Sequence, residues 1–311
     1  MPKEYHQCTW DAPLIDDLQY LIDLAVREDL GRQMDWSTVS LIPEEAAGAA
    51  AIVARQSGIL AGAPCLPLII QYLELDLTWT GLLEDGARLD AGTVVGTIAG
   101  SVRDLLTCER IILNFLGRLS GVATLTDRYV QAITETSAAV YDTRKTTPGW
   151  RRLEKYAVRC GGGTNHRGGL YEAVMLKDNH LAWYQQSASA NAKLQDLVPI
   201  VRKFLIEHLG ESEGNSRIIE VEVDTLDQLR DVLASGPDIV LLDNMHPRTL
   251  AEAVIVRDAV NPDVPLEASG GVTLDTIQEI AVSGVDRISV GAITHSAVSL
   301  DLGLDWKTNE G

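Results

Sequence analysis

The chain has 311 residues, 46% hydrophobic and 23% charged, an ordinary globular balance with room for one large domain or two. Its 26 Lys and Arg against 44 Asp and Glu leave a formal charge of −18, a surface that repels nucleic acid and anionic lipid. The four cysteines are scattered, no apolar run approaches the ~20 residues of a membrane span, and the N-terminus lacks a signal-peptide core, so a cytoplasmic protein that binds neither membrane nor nucleic acid is expected.

Pro13 to Leu30 carries leucines and alanines near the 3.6-residue period and predicts an amphipathic helix, with Gly31 as its stop. Asp35-Trp36-Ser37-Thr38 reads as a polar turn of helix-capping composition. Ala46 to Leu60 predicts a strand, Pro64 to Tyr72 a short helix, and Leu75–Thr80 and Thr93–Ile98 further strands, antiparallel by their spacing. Leu105 to Thr134 predicts a long helix in which Gly117, Ser120 and Gly121 mark close packing or a break. Glu109 and Arg110 read there as a solvated pair.

Beyond about residue 135 the pattern changes. Short apolar runs end in polar residues at Ala139–Asp142, Val174–Lys177, Ile218–Val223, Ile239–Asp243, Pro265–Ala268 and Arg287–Val290. Helical stretches fit at 150–160, 194–209, 225–235, 247–260 and 274–283, and 211–216 reads as a polar loop. Strand, helix, strand in this rhythm predicts parallel βα units. Runs that are apolar on both faces favour a closed or nearly closed barrel; no G-x-G-x-x-G follows the first run to support a doubly wound sheet.

Barrel strands converge at their C-terminal ends, and there the chain concentrates its chemistry. Arg144, Lys145, Arg167 and Lys177, with His166, predict an anion cradle inside an acidic protein. Arg151, Arg152, Lys155 and Arg159 share a helix with Glu154 and suit surface ion pairs equally well. Glu222 and Asp243 can hold Mg²⁺ or face a developing positive charge. Ser269-Gly270-Gly271 and Gly291-Ala292 let backbone N–H groups approach a phosphate. A Schiff-base role for Lys177, as in a barrel aldolase, is the alternative chemistry; neighbouring anionic ligands would raise the lysine pKa and oppose it.

At these residues the sequence closely resembles the quinolinate phosphoribosyltransferase family. The resemblance rests on DTRKTTPG at 142–149, EKYAVRCGGGTNHR at 154–167, LKDNH at 176–180, IEVEVD at 219–224, LLDN at 241–244 and EASGG at 267–271, with CER at 108–110. It implies an α/β fold: an open, TIM-like α/β barrel over 119–292, behind a mixed α/β domain over 1–118 that the tail 293–311 rejoins. It implies a homodimer or higher homo-oligomer in which Arg110 reaches the partner's site, which changes the reading of Arg110. The implied reaction converts quinolinate and 5-phosphoribosyl 1-pyrophosphate to nicotinate mononucleotide, pyrophosphate and CO₂. Arg110, Arg144, His166, Arg167 and Lys177 then face the dicarboxylate. Lys145 and Mg²⁺ face the pyrophosphate, and Ser269, Gly270, Gly271, Gly291 and Ala292 the 5-phosphate. Lys145, Glu222 and Asp243 are the implied catalytic groups, with Glu222 and Asp243 toward the metal. No organic cofactor is implied.

Overall fold

The computed structural model describes residues 3–187 and 193–307. They form two compact units. One comprises Cys8–Asp127, Thr146–Gly162 and the described chain from Ile293 on; the other comprises the described residues up to Gln7, Arg128–Lys145 and Gly163–Ala292.

The first unit opens with α1 (Ala12–Leu30), whose Leu14, Leu18, Leu21 and Ile22 are buried. Asp11 caps it by accepting from the Leu14 N–H, and Pro13 occupies the first turn. The Asp35 segment is not a plain turn. It is a short helix, α2 (Trp36–Leu41), because the Asp35 carboxylate accepts from both the N–H and the hydroxyl of Thr38. The long run after Ala46 divides into β1 (Ala47–Ala54) and β2 (Gly58–Ile59). Then follow α3 (Cys65–Tyr72), β3 (Leu77–Gly81), β4 (Arg88–Leu89), β5 (Val94–Ser101) and α4 (Val102–Gln131). Helix α4 runs through its small residues unbroken. They serve close approach: a Cβ on Gly121 would lie 2.1 Å from the Val298 carbonyl oxygen.

The second unit is the barrel. Its strands are β6 (Ala139–Tyr141), β7 (Val174–Leu176), β8 (Ile219–Val223), β9 (Ile239–Asp243), β10 (Leu266–Ser269) and β11 (Arg287–Ser289). Among the described residues they form one parallel sheet in the order β6-β11-β10-β9-β8-β7; β6 also bridges Thr164, but β6 and β7 do not pair with each other, so the barrel is open. After β6 the chain passes through α5 (Arg151–Cys160), which belongs to the first unit. The remaining connections are α6 (Asp178–Ser187), α7 (Leu197–Leu209), α8 (Glu211–Ser216), α9 (Leu226–Ala234), α10 (Pro247–Val260) and α11 (Ile277–Val282), and α12 (Ala292–His295) follows β11. Helices α6 and α8 depart from the sequence reading. The 211–216 segment is helical where its polarity suggests a loop, because Gly214 packs directly on the Ile206 backbone.

Register aligns the strand ends: Asp243 lies opposite Ser269, and Glu222 opposite Leu241. Alternation puts Glu220 and Glu222 on one face of β8, with Ile219, Val221 and Val223 on the other. The chain ends in β12 (Leu302–Trp306), antiparallel to β1, which completes a sheet of order β12-β1-β5-β3 in the first unit. No helix among the described residues is long and apolar enough to cross a membrane.

Candidate active site

The loop leaving β6 is held by Asp142. Its side chain is fully buried and accepts from the His166 N–H at 2.8 Å and from Asn165 Nδ2 at 2.7 Å. This one carboxylate joins the loops following residues 141 and 164, so the cations at 144, 145 and 167 leave from a fixed base. Arg167 is 5% exposed; its guanidinium donates to the Ala173 carbonyl and approaches Met175 Sδ. Burial first, and then the neighbouring guanidinium of Arg144, lower the Arg167 pKa. Arg144 Nε is buried and has no hydrogen-bond partner among the described residues. Glu220 and Glu172 partly offset the Arg167 charge, whereas Arg144 Nε is a buried donor that an incoming anion would satisfy. Lys145 lies exposed beside them, its N–H bonded to Thr143 Oγ1.

His166 is placed differently from the sequence reading, which counted it with the cations. Its Nδ1 accepts the Arg167 N–H at 2.8 Å, so that nitrogen carries no proton. Its Nε2 faces inward, 3.1 Å from Glu220 and 3.5 Å from Glu267. The ring is thus engaged at both nitrogens and orients Arg167 through the main chain.

Lys177, at the end of β7, pairs with Glu222 of β8 at 2.6 Å; Glu222 is 7% exposed. Asp243, ending the next strand, accepts from Asn244 Nδ2 at 2.7 Å. Asn244 takes the left-handed conformation at φ 52°, a strained state for a side-chain-bearing residue. Gly270 follows at φ 97°, and a Cβ there would meet Asn244 Oδ1 at 2.1 Å. Ser269, Gly270, Gly271, Gly291 and Ala292 sit at the ends of β10 and β11, half-buried except for the exposed Gly271.

Arg110 belongs to the first unit. It is exposed at a concavity of about 560 Å³ that Arg118, Thr147, Trp150 and Asp301 also line. The basic helix α5 resolves differently from surface pairing within itself. Glu154 is fully buried and binds Arg118 Nη2 at 2.5 Å, Arg152 reaches Asp17, and Lys155 is itself buried.

Glu220, Glu267, Tyr5 and Asp142 have no assigned role in the sequence reading, which places Glu267 and Asp142 only as strand-end residues. The first three meet His166 inside the barrel: Tyr5 donates to Glu220 Oε2 at 2.6 Å and stacks on His166 with centroids 4.3 Å apart. Burial pushes the Glu267 pKa up to about 7. Burial also works upward on Glu220, but His166, Tyr5 and Arg167 outweigh it and hold Glu220 below the ordinary carboxylate value. The E-x-E alternation in 219–223 was a usable signal for Glu220, since Glu222 already pointed inward. Tyr5 carried none.

The carboxylates of Glu222 and Asp243 are hard oxygen donors on neighbouring strands, and each commits one oxygen to a protein partner. That donor set fits Mg²⁺, a hard cation that takes oxygen ligands. The three-ligand group among the described residues is the buried His166, Glu220 and Glu267. There the Tyr5 and His166 protons already meet the Glu220 carboxylate.

Comparison with known proteins gives one answer along the chain. Residues 35–120 match the family model described as quinolinate phosphoribosyl transferase, N-terminal domain, and residues 122–305 the C-terminal domain of the same family. A probable nicotinate-nucleotide pyrophosphorylase [carboxylating] of Synechocystis is 42% identical over 282 residues, 91% of this chain and 90% of that one. The Mycobacterium leprae nicotinate-nucleotide pyrophosphorylase [carboxylating] is 40% identical, covering 90% and 94%. The solved nicotinate-nucleotide pyrophosphorylase of Francisella tularensis superposes with a TM-score of 0.85 at 34% identity, covering 98% of this chain and 100% of that one.

Proposed function

The chain belongs to the quinolinate phosphoribosyltransferase family, and we infer that it transfers phosphoribosyl from 5-phosphoribosyl 1-pyrophosphate to quinolinate, releasing CO₂ and pyrophosphate and leaving nicotinate mononucleotide. This is the carboxylating nicotinate-nucleotide diphosphorylase reaction of NAD biosynthesis. The observation that carries the reading is the Arg144–Arg167 pair, neighbouring guanidiniums of which Arg167 is buried and Arg144 Nε has no partner among the described residues. A planar dicarboxylate supplies what they lack, and guanidiniums take carboxylates bidentately.

The roles follow from position. Arg144 and Arg167 bind the quinolinate carboxylates, His166 keeps Arg167 in place, and Lys177 is held toward the same anion by Glu222. Lys145 receives the pyrophosphate, and the backbone at Ser269, Gly270, Gly271, Gly291 and Ala292 receives the 5-phosphate. Glu222 and Asp243 would hold Mg²⁺, which when bound would supply positive charge to the departing pyrophosphate. The ring nitrogen attacks the ribose C1 as the bond to pyrophosphate breaks. Positive charge grows at that carbon, and the fixed carboxylates of Glu222 and Asp243 oppose it without reorganising. The nitrogen is then cationic. When the adjacent carboxylate leaves as CO₂, its bonding pair stays on the ring carbon, stabilised by that cation, until a proton replaces the lost carboxyl.

Arg110 completes the cation set from a second copy of the chain, so the active form is a homodimer or a higher homo-oligomer. Four free cysteines suit a reducing cytoplasm. The test is product formation. Purified protein with quinolinate, phosphoribosyl pyrophosphate and Mg²⁺ yields nicotinate mononucleotide; no product under those conditions, with ring analogues accepted instead, sinks the reading.

A further inference from the structure

We propose that residues 3–7 form a strap that positions the His166–Arg167 loop for the dicarboxylate, with Tyr5 and Gln7 as its positioning residues. The proposal rests on the quinolinate reading of that loop, and it assigns work to a segment outside both matched family regions.

The strap enters where the barrel strands begin. Lys3 Nζ is 2.8 Å from Asp238, just before β9, and donates to the Asn215 carbonyl at 2.6 Å. Glu4 bonds Arg287 at 2.8 Å and accepts from the Tyr141 hydroxyl at 3.0 Å. Tyr5 is 3% exposed and packs with Ala173, Ile218 and Ile239 at the starts of β7, β8 and β9.

From that anchored end, three consecutive residues reach toward one loop. The Tyr5 ring stacks on His166, and its hydroxyl donates to the Glu220 oxygen that His166 Nε2 also faces. The His6 N–H donates to Glu172 Oε1 at 2.9 Å, and the other Glu172 oxygen accepts the Gly168 N–H. Gln7 Oε1 accepts the Asn165 N–H at 2.8 Å while its Nε2 donates to the Asn165 carbonyl at 3.0 Å, a two-point main-chain clamp. Asp142 grips residues 165 and 166 from one side, and the strap holds them from the other. The His166 ring orientation is passed on through Nδ1 to the Arg167 N–H. A guanidinium that must meet a planar anion bidentately loses binding with small misplacement. The strap therefore sets quinolinate affinity without touching quinolinate.

The test compares Tyr5→Phe and Gln7→Ala with Lys3→Ala, which loosens the strap's anchor but none of its loop contacts. Each is assayed for the KM of both substrates, for kcat and for thermal midpoint. Expected is a rise in quinolinate KM of about five- to tenfold in both loop-contact variants, the size of one or two lost hydrogen bonds, with the phosphoribosyl pyrophosphate KM unchanged. Lys3→Ala lowers the midpoint and leaves both KM values near wild type. An unchanged quinolinate KM in both variants overturns the proposal. So does an equal rise in Lys3→Ala, which would make the strap merely structural. A wild type that does not turn over quinolinate defeats the proposed function instead. The strap is then read by the ¹⁵N spectrum of the histidine rings, with His166 assigned by His166→Gln. A shift of the His166 ring signals in Tyr5→Phe supports the strap, and an unmoved signal overturns it.

Discussion

The Arg144 and Arg167 guanidiniums oppose each other's charge, and Asp142 ties together the loops that carry them. Binding relieves that opposition, so the loss from removing one cation appears in binding. Arg144→Ala is expected to raise the quinolinate KM by roughly 10- to 100-fold, the worth of one charge-assisted pair, with the KM for the second substrate nearly unchanged. Steady-state kinetics with each substrate varied checks this, and an unchanged quinolinate KM refutes the role. Glu222→Gln acts on the other side of the reaction. Charge opposing a transition-state cation is lost, so kcat falls about 10²-fold or more; a change confined to KM counts against transition-state stabilisation. Inside the barrel, Glu267 faces His166, Glu220, Arg287 and Ser289, and burial lifts its pKa to about 7. A native acid that holds its proton above the unfolded pKa stabilises below that unfolded value, and the contribution is lost as pH rises through 7. Wild-type stability therefore declines from pH 5 to pH 8 through this group, and Glu267→Gln, its neutral isostere, loses that part of the slope. Urea midpoints at the two pH values decide; parallel slopes in the two proteins refute it.

At the scale of elements, the barrel strands are legible in the sequence because short, largely apolar runs such as Ile239–Leu242 recur between helical stretches. Ile239–Asp243 and Pro247–Val260 appear in the structure with the bounds their sequence suggests. Polarity misleads where a helix is fixed by one contact: Asp35 capping makes α2 from an apparent turn, and Gly214 against Ile206 makes α8 from an apparent loop. The strand-end cations are legible for the same reason as the strands. Tyr5 is not, since residues 3–7 carry no period, and their meaning lies in partners up to 284 residues away. Helix α5 is a further case. Its basic surface suggests exposed pairs, yet Glu154 is wholly buried and accepts from Arg118 and from Thr147. Glu154→Gln strands Arg118 without its counter-charge and is expected to destabilise the protein by about 3 kcal/mol, far beyond a surface pair. Chemical denaturation measures it, and a loss within the surface-pair range would contradict the burial argument.

On the scale of the whole molecule, a charge of −18 surrounds a site built to hold anions, so the cations must be concentrated and locally fixed rather than spread. The proposed assembly extends this, because Arg110 and Arg144 of one chain then serve different sites. Arg110→Ala and Arg144→Ala are each expected to be weak alone. Mixed in equal amounts after dissociation and reassembly, they regain about a quarter of wild-type activity, since half the random dimers are hybrids with one intact site of two. No recovery on mixing would place both arginines in the same site. The most direct measurement follows carboxyl-labelled quinolinate. Labelled CO₂ and pyrophosphate are expected to appear one for one, only when phosphoribosyl pyrophosphate is present, and nicotinate mononucleotide with them. Release of CO₂ without the second substrate, or pyrophosphate without CO₂, would contradict a transfer coupled to decarboxylation at this site.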